Sequence, residues 1–191
     1  MTVIVGLIDD GTVYMGCDSS MSYGDSIATM TYPQKLITVD LSQEFNPLGP
    51  HEIGISIGMS GSIRMLSIIN AYAGELPEIE WSFEKYITTA MVPWLIEKFA
   101  QSKIAVNDTK PIEYEGEMLI GGFGRLICIG KDFSTVETDR DCEAIGCASE
   151  YALGAMLATP RMKPKKRLLN AMKICEQVCS AVRAPFHIVE V

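Results

Sequence analysis

The chain has 191 residues, 48% of them hydrophobic, which suits one domain with a sizeable core and argues against disorder. Its 16 lysines and arginines against 24 aspartates and glutamates give a net charge of −8, an argument against nucleic acid as a partner. No apolar stretch reaches the length of a transmembrane helix and no basic region precedes the first apolar run, so neither a membrane span nor a secretory signal is expected, and the expected location is cytoplasmic.

In chain order, Val3, Val5 and Leu7 alternate with Ile4, Gly6 and Ile8, which predicts a strand buried on both faces. Asp9-Asp10-Gly11 predicts a hairpin turn, and Thr12–Cys17 the returning strand. A polar run over 18–31 follows, then a third strand over 35–39 that opens on Lys35. Apolar residues Ile63, Leu66, Ile69 and Ala73 predict a helix over 62–72, and a longer amphipathic helix is expected over 81–101, kinked at Pro93. A hairpin is expected from strands 117–120 and 125–130. Its turn falls in Gly121-Gly122-Phe123-Gly124, a glycine run that joins strands and so is no dinucleotide fingerprint. Helices over 149–158 and 164–180 and a strand over 186–191 complete the chain, while the loop 44–51 has no assigned role.

Six cysteines (Cys17, Cys128, Cys142, Cys147, Cys175 and Cys179) show no CxxC spacing and are expected as reduced thiols. Cys175 and Cys179 share one face of a predicted helix, where core packing is the simpler reading than metal ligation. The basic cluster Arg161-Met162-Lys163-Pro164-Lys165-Lys166-Arg167 reads as a solvated turn, with docking of an acidic partner as the alternative.

Chemistry enters with Thr2. If Met1 is removed, the chain begins with a threonine whose own amine can serve as the base for its hydroxyl, a nucleophile and base in one residue. A buried opening strand holds that terminus still, where most termini fray. Two strands and a hairpin bring Asp18 and Lys35 back beside it. Taken singly, Asp18 reads as a turn former, Lys35 as a solvated strand-end lysine, and Gly61-Ser62 as the start of a helix. Their joint order and spacing with Thr2 is what points to a site.

On these residues the chain resembles the proteasome β-type subunits, and more closely the bacterial HslV peptidase, of the N-terminal nucleophile hydrolases. The resemblance covers roughly residues 2–73 and 117–180. It implies an α+β fold, a four-layer αββα sandwich of two antiparallel sheets covered by helices, over the single domain 1–191. It also implies Thr2 as nucleophile, Asp18 and Lys35 as its charged neighbours, and Gly61 as the backbone N–H of the oxyanion hole. A lysine cation beside the terminal amine lowers that amine's pKa and keeps part of it neutral, able to take the hydroxyl proton, while an aspartate holds the lysine charged. Glycine lets the backbone come close to a developing oxyanion.

Two positions depart from the family pattern. Where a Gly-Ser-Gly-Gly segment is expected, Gly146-Cys147-Ala148 puts Cys147 in the serine's place, and a thiol is the weaker donor. Further on, Ser180 matches the second serine of the network, but Gln177 stands for its carboxylate. By family position, Met21, Met59 and Ile63 surround the pocket for the residue before the scissile bond, which implies a preference for medium apolar side chains.

The implied activity is a threonine peptidase acting on peptides or unfolded proteins within stacked hexameric or heptameric rings of this chain, often fed by an ATPase unfoldase, with no metal or organic cofactor. Two other readings stay open: a non-catalytic assembly with this fold, acting as a scaffold, and an amidase acting on a small amide. Cys147 and Gln177 favour the scaffold, as would a retained Met1, which would make the Thr2 nitrogen an amide.

Overall fold

The first strand decides the layering, because its side chains are apolar on both faces and each face needs a cover. A computed structural model describes residues 2–23, 26–41, 54–79, 82–102 and 114–191. Met1, Trp81 and the loop 44–51 lie outside the described residues. In it β1 (Val3–Asp9) turns through Asp10 and Gly11 into β2 (Thr12–Cys17). Both turn residues have positive φ, 48° and 78°, the geometry that matches the twist of paired strands and that Asp-Gly favours.

Next come β3 (Ser20–Tyr23), β4 (Ser26–Thr29), β5 (Leu36–Asp40), β6 (Gly54–Gly61) and α1 (Ile63–Tyr72). The second helical segment is α2 (Phe83–Tyr86), a π-turn over Ile87–Met91, and α3 (Val92–Gln101). Strands β7 (Gly116–Gly122), β8 (Arg125–Ile129), β9 (Thr135–Val136) and β10 (Cys142–Gly146) follow, then α4 (Ser149–Leu157), α5 (Pro164–Val178) and β11 (His187–Glu190).

Two antiparallel sheets form, in the orders β10-β1-β2-β11 and β5-β6-β7-β8-β9, with β3 and β4 as a separate ribbon. Val3, Val5 and Leu7 on one face of β1 pack on Ala152 and Met156 of α4 and on Leu168, Ala171 and Met172 of α5. Ile4 on the other face joins Val13 and Met15 against Leu119 and Leu126 of the second sheet. That sheet's far face, including Ile55, Ile57 and Ile120, is covered by Leu66 and Ile69 of α1 and Leu95 and Phe99 of α3. Helices, sheet, sheet, helices is the αββα sandwich.

Small residues let the sheets approach. A Cβ on Gly58 would stand 2.4 Å from Ile4 Cγ2, and one on Gly121 would stand 2.5 Å from the Met15 sulfur.

Several elements depart from the sequence reading. Strands β6 and β10 were not foreseen, although Gly54–Gly61 alternates Ile55, Ile57 and Met59 with small residues at period two. The polar run after β2 contains the β3–β4 ribbon; all four β4 residues are exposed, so no apolar alternation marks it. Where a kink is expected at Pro93, a π-turn over Ile87–Met91 leads into α3, with Pro93 in the first turn of α3. Strand β7 runs on to Gly122, leaving Phe123 and Gly124 as a two-residue turn at φ 53° and 69°.

Helix α5 ends at Val178, and Cys179 is extended at φ −125°, ψ 112°, so Ser180 lies outside it. Within the basic cluster, Arg167 is buried: its Nε donates to the Met156 carbonyl at 2.9 Å and its Nη1 to Asp141 Oδ2 at 2.8 Å. It ties α5 to the end of α4 and the start of β10.

Replacing Gly58 by alanine is expected to lower stability by ~1–3 kcal/mol through overpacking between the sheets, read as a lower urea midpoint at unchanged slope. The Arg167 hydrogen bond holds the Asp141 carboxyl below its ordinary value. A depressed carboxylate stabilises the fold above its unfolded pKa and loses that contribution as pH falls through the folded one. Arg167→Met should therefore flatten the acid limb of a stability-against-pH profile between those two values.

Candidate active site

The β1–β2 hairpin returns the chain to its own start, with Ile4 opposite Cys17, so Asp18 falls beside Val3. The Val3 N–H donates to Asp18 Oδ1 at 3.0 Å. Lys35 Nζ donates to the same oxygen at 2.9 Å, while the Ser20 N–H and Oγ donate to Oδ2 at 2.9 and 2.5 Å. These bonds fill the acceptor sites of a carboxylate. Ser20 Oγ also contacts the Ala181 carbonyl, which closes the cluster from behind. Asp18 accepts from the N–H two residues on, as a turn former does, and from Lys35 Nζ as well.

The Asp18–Lys35 pair is buried, with side-chain exposures of 0% and 4%. Lys35 is placed by the β5–β6 pairing, where the Met59 N–H donates to its carbonyl at 2.8 Å. Such a pair must offset a large desolvation cost, so its hydrogen bonds matter more than its charge alone.

At the end of β6, Gly61 lies opposite Gly116 with φ 132°, and a Cβ there would stand 2.1 Å from the Glu115 carbonyl oxygen. Only glycine fits, and its backbone stays open toward the site. Thr2, Ser20, Met21, Lys35, Gly61 and Ile63 line one small pocket of about 70 Å³, which Met30 and Leu66 complete on its apolar side. Met59 does not reach it. That side chain is fully buried on the helix-facing side of β6, because the strand's alternation sends Ile55, Ile57 and Met59 toward α1 and α3.

Behind Thr2, Gly146 adopts φ 95°, and a Cβ on it would stand 2.3 Å from the Thr2 carbonyl oxygen. The Cys147 thiol donates to that oxygen at 3.5 Å and lies 3.8 Å from the Cys179 sulfur. Burial pushes the Cys147 thiol above its ordinary pKa. Cys179, not Ser180, is thus the side chain of the α5 terminus that meets Cys147. Ser180 is exposed, one residue further round, and Gln177 is exposed as well. The helical spacing from Cys175 already marked Cys179 as inward-facing. Ser20 was also missed, its signal being the turn that Asp18 starts. Among the described residues no group of three or more histidine, cysteine, aspartate or glutamate side chains is placed to hold a metal ion.

No family model and no curated protein sequence matches the chain. Solved structures do. Thiobacillus denitrificans BPH in complex with epoxomicin is similar over 100% of this chain and 98% of its own, at 16% identity and a TM-score of 0.77. HslV from Trypanosoma brucei is similar over 99% and 98%, at 18% identity and a TM-score of 0.65. The Gly-1 mutant of Anbu from Hyphomicrobium sp. strain MC1 is similar over 99% of this chain and 80% of its own, at 15% identity and a TM-score of 0.71. The chain therefore has the proteasome-like fold of the N-terminal nucleophile hydrolases.

Asp18→Ala removes the carboxylate paired with the buried Lys35 ammonium and is expected to cost ~3–5 kcal/mol. Pairing it with Lys35→Met should recover much of that loss in urea denaturation; a double variant no more stable than Asp18→Ala would mean that the pair is not what the cluster rests on.

Proposed function

We propose that the chain is a threonine peptidase whose nucleophile is the hydroxyl of Thr2, freed of Met1. The observation that carries this reading is the meeting of Thr2, Lys35 and Gly61 in one pocket, backed by the buried Asp18–Lys35 pair.

The reaction follows from the groups present. The Thr2 amine takes the proton of its own hydroxyl, and the hydroxyl oxygen attacks the peptide carbonyl. The Lys35 cation favours the neutral amine that this step needs. The developing oxyanion meets the Gly61 N–H, and the amine passes its proton to the departing peptide nitrogen. An ester to Thr2 remains. Water, deprotonated by the same amine, then cleaves it and restores the enzyme.

Met21, Met30, Ile63 and Leu66 give the pocket apolar walls, which suits a medium apolar residue before the scissile bond. Peptides or unfolded proteins are the substrate class, and stacked six- or seven-membered rings of this chain, with an ATPase unfoldase as feeder, would keep folded proteins from the site. The cytoplasm is the proposed location. Among the described residues no helix is long and apolar enough to cross a membrane.

A second reading, a non-catalytic assembly, is favoured by one observation: thiols, not hydroxyls, stand beside Thr2 at Cys147 and Cys179, and thiols are weak donors.

Intact mass separates the two readings. Epoxomicin, the compound in complex with BPH, is a peptide epoxyketone, and such compounds form a ring adduct with the amine and hydroxyl of an N-terminal threonine together. The expected result is loss of Met1 and one adduct per chain, absent in Thr2→Ala, with cleavage of an apolar peptide slowed ~10²–10⁴-fold in Lys35→Met. Retained Met1, or an unmodified chain after its loss, would favour the non-catalytic assembly.

A further inference from the structure

Two thiols touch beside the proposed nucleophile, and the chemistry above uses neither as a reactant. Cys17, Cys142 and Cys175 are buried, and burial holds the Cys17 thiol up at about 12 and the half-buried Cys128 thiol likewise at about 12. Cys147 differs in being exposed, and its sulfur lies 3.8 Å from that of half-buried Cys179. Each sits where a regular element stops. Cys147 follows β10 ahead of α4, and Cys179 is the first extended residue beyond α5. A disulfide has its sulfurs about 2.0 Å apart, so closure needs a shift of about 1.8 Å, shared between a corner and a helix end.

We propose that Cys147 and Cys179 are a site of reversible oxidation by peroxide, and that the disulfide they form shuts the Thr2 site. In the first step the Cys147 thiolate attacks one peroxide oxygen. The O–O bond breaks, hydroxide leaves, and Cys147 becomes a sulfenic acid. Cys179 then attacks that sulfur, the S–S bond forms, and the second hydroxide departs. With the two thiol protons the hydroxides make two waters, so two thiols and one peroxide give a disulfide and two waters, two electrons passing from sulfur to oxygen. A dithiol reductant reverses it by exchange. Partial desolvation raises the Cys147 thiol above its ordinary value, so the pair reacts faster as pH rises.

The consequence for Thr2 follows from contact. Oxidation removes the S–H that Cys147 donates to the Thr2 carbonyl. Moving Cys147 toward Cys179 also pulls on Gly146, whose backbone packs against that carbonyl with no room for a Cβ. The residue whose hydroxyl must sit against Gly61 is then displaced. This half of the proposal rests on the threonine-peptidase reading; the disulfide itself does not.

The test treats the intact protein with hydrogen peroxide, alkylates remaining thiols under denaturing conditions, and maps the peptides. The expected result is one cross-linked pair containing Cys147 and Cys179, returned to free thiols by dithiothreitol. Epoxomicin adduct formation should slow at least tenfold in the oxidised protein and recover on reduction, while in Cys147→Ser, which lacks the thiol that peroxide attacks, its rate should not respond to peroxide. Both cysteines alkylated as free thiols, or converted separately to sulfinic acids, would overturn the oxidation site. A cross-link with an unchanged adduct rate would overturn the switch. A reduced protein that forms no adduct would remove the peptidase reading and the switch with it, while the peptide map alone still decides the disulfide.

Discussion

The ion pair between Asp18 and Lys35 joins the two sheets at the mouth of the site. Asp18 comes directly after β2 of one sheet and Lys35 directly before β5 of the other, so the contact fixes how the sheets meet where Thr2 begins. It survives burial because each oxygen of the carboxylate has further donors, from the Val3 N–H and from Ser20. A buried pair without them would gain little over two apolar residues of the same volume. The first strand and the turn at Ser20 are thus held to one carboxylate, with the Ala181 carbonyl against the Ser20 hydroxyl, and the same grip that orders the fold orients the candidate catalytic groups.

Close approach is the second constraint. Where the sheets face each other, glycine stands opposite large side chains, Gly58 against Ile4 and Gly121 against Met15. Near the site, glycine appears for a different reason: Gly61 and Gly146 have positive φ and lie against neighbouring carbonyls. One set lets the layers pack, and the other lets backbone pass against backbone, Gly146 against the Thr2 carbonyl and Gly61 against that of Glu115.

The periphery of the site is built from softer groups than its centre. Lys35, Asp18 and Ser20 form short oxygen and nitrogen bonds, whereas Cys147 meets the Thr2 carbonyl and Cys179 through sulfur at longer range. Longer, weaker contacts position a neighbour less firmly. They also give the site a chemistry, two-electron oxidation, that hydroxyls in the same places could not supply.

The sequence by itself determined the buried first strand, its Asp-Gly turn and the return of Asp18 beside Thr2, because these depend on residues close in the chain and on a strict period of two. It also marked the four helical regions and the hairpin after residue 114, within a few residues at their ends. Only the tertiary structure decided the rest. Strands β6 and β10 are strands because partners arrive from distant segments, Glu117 opposite Ser60 and Ala144 opposite Val5. Met59 turned away from the pocket because its face of β6 is the one α1 and α3 cover. Arg167, one charge in a basic run, is buried because Asp141 and the Met156 carbonyl converge on it. Cys179 meets Cys147 while Ser180 is exposed because the helix stops at Val178, two residues before its expected end, and the direction of a side chain at a helix end is set by where the backbone leaves the helix.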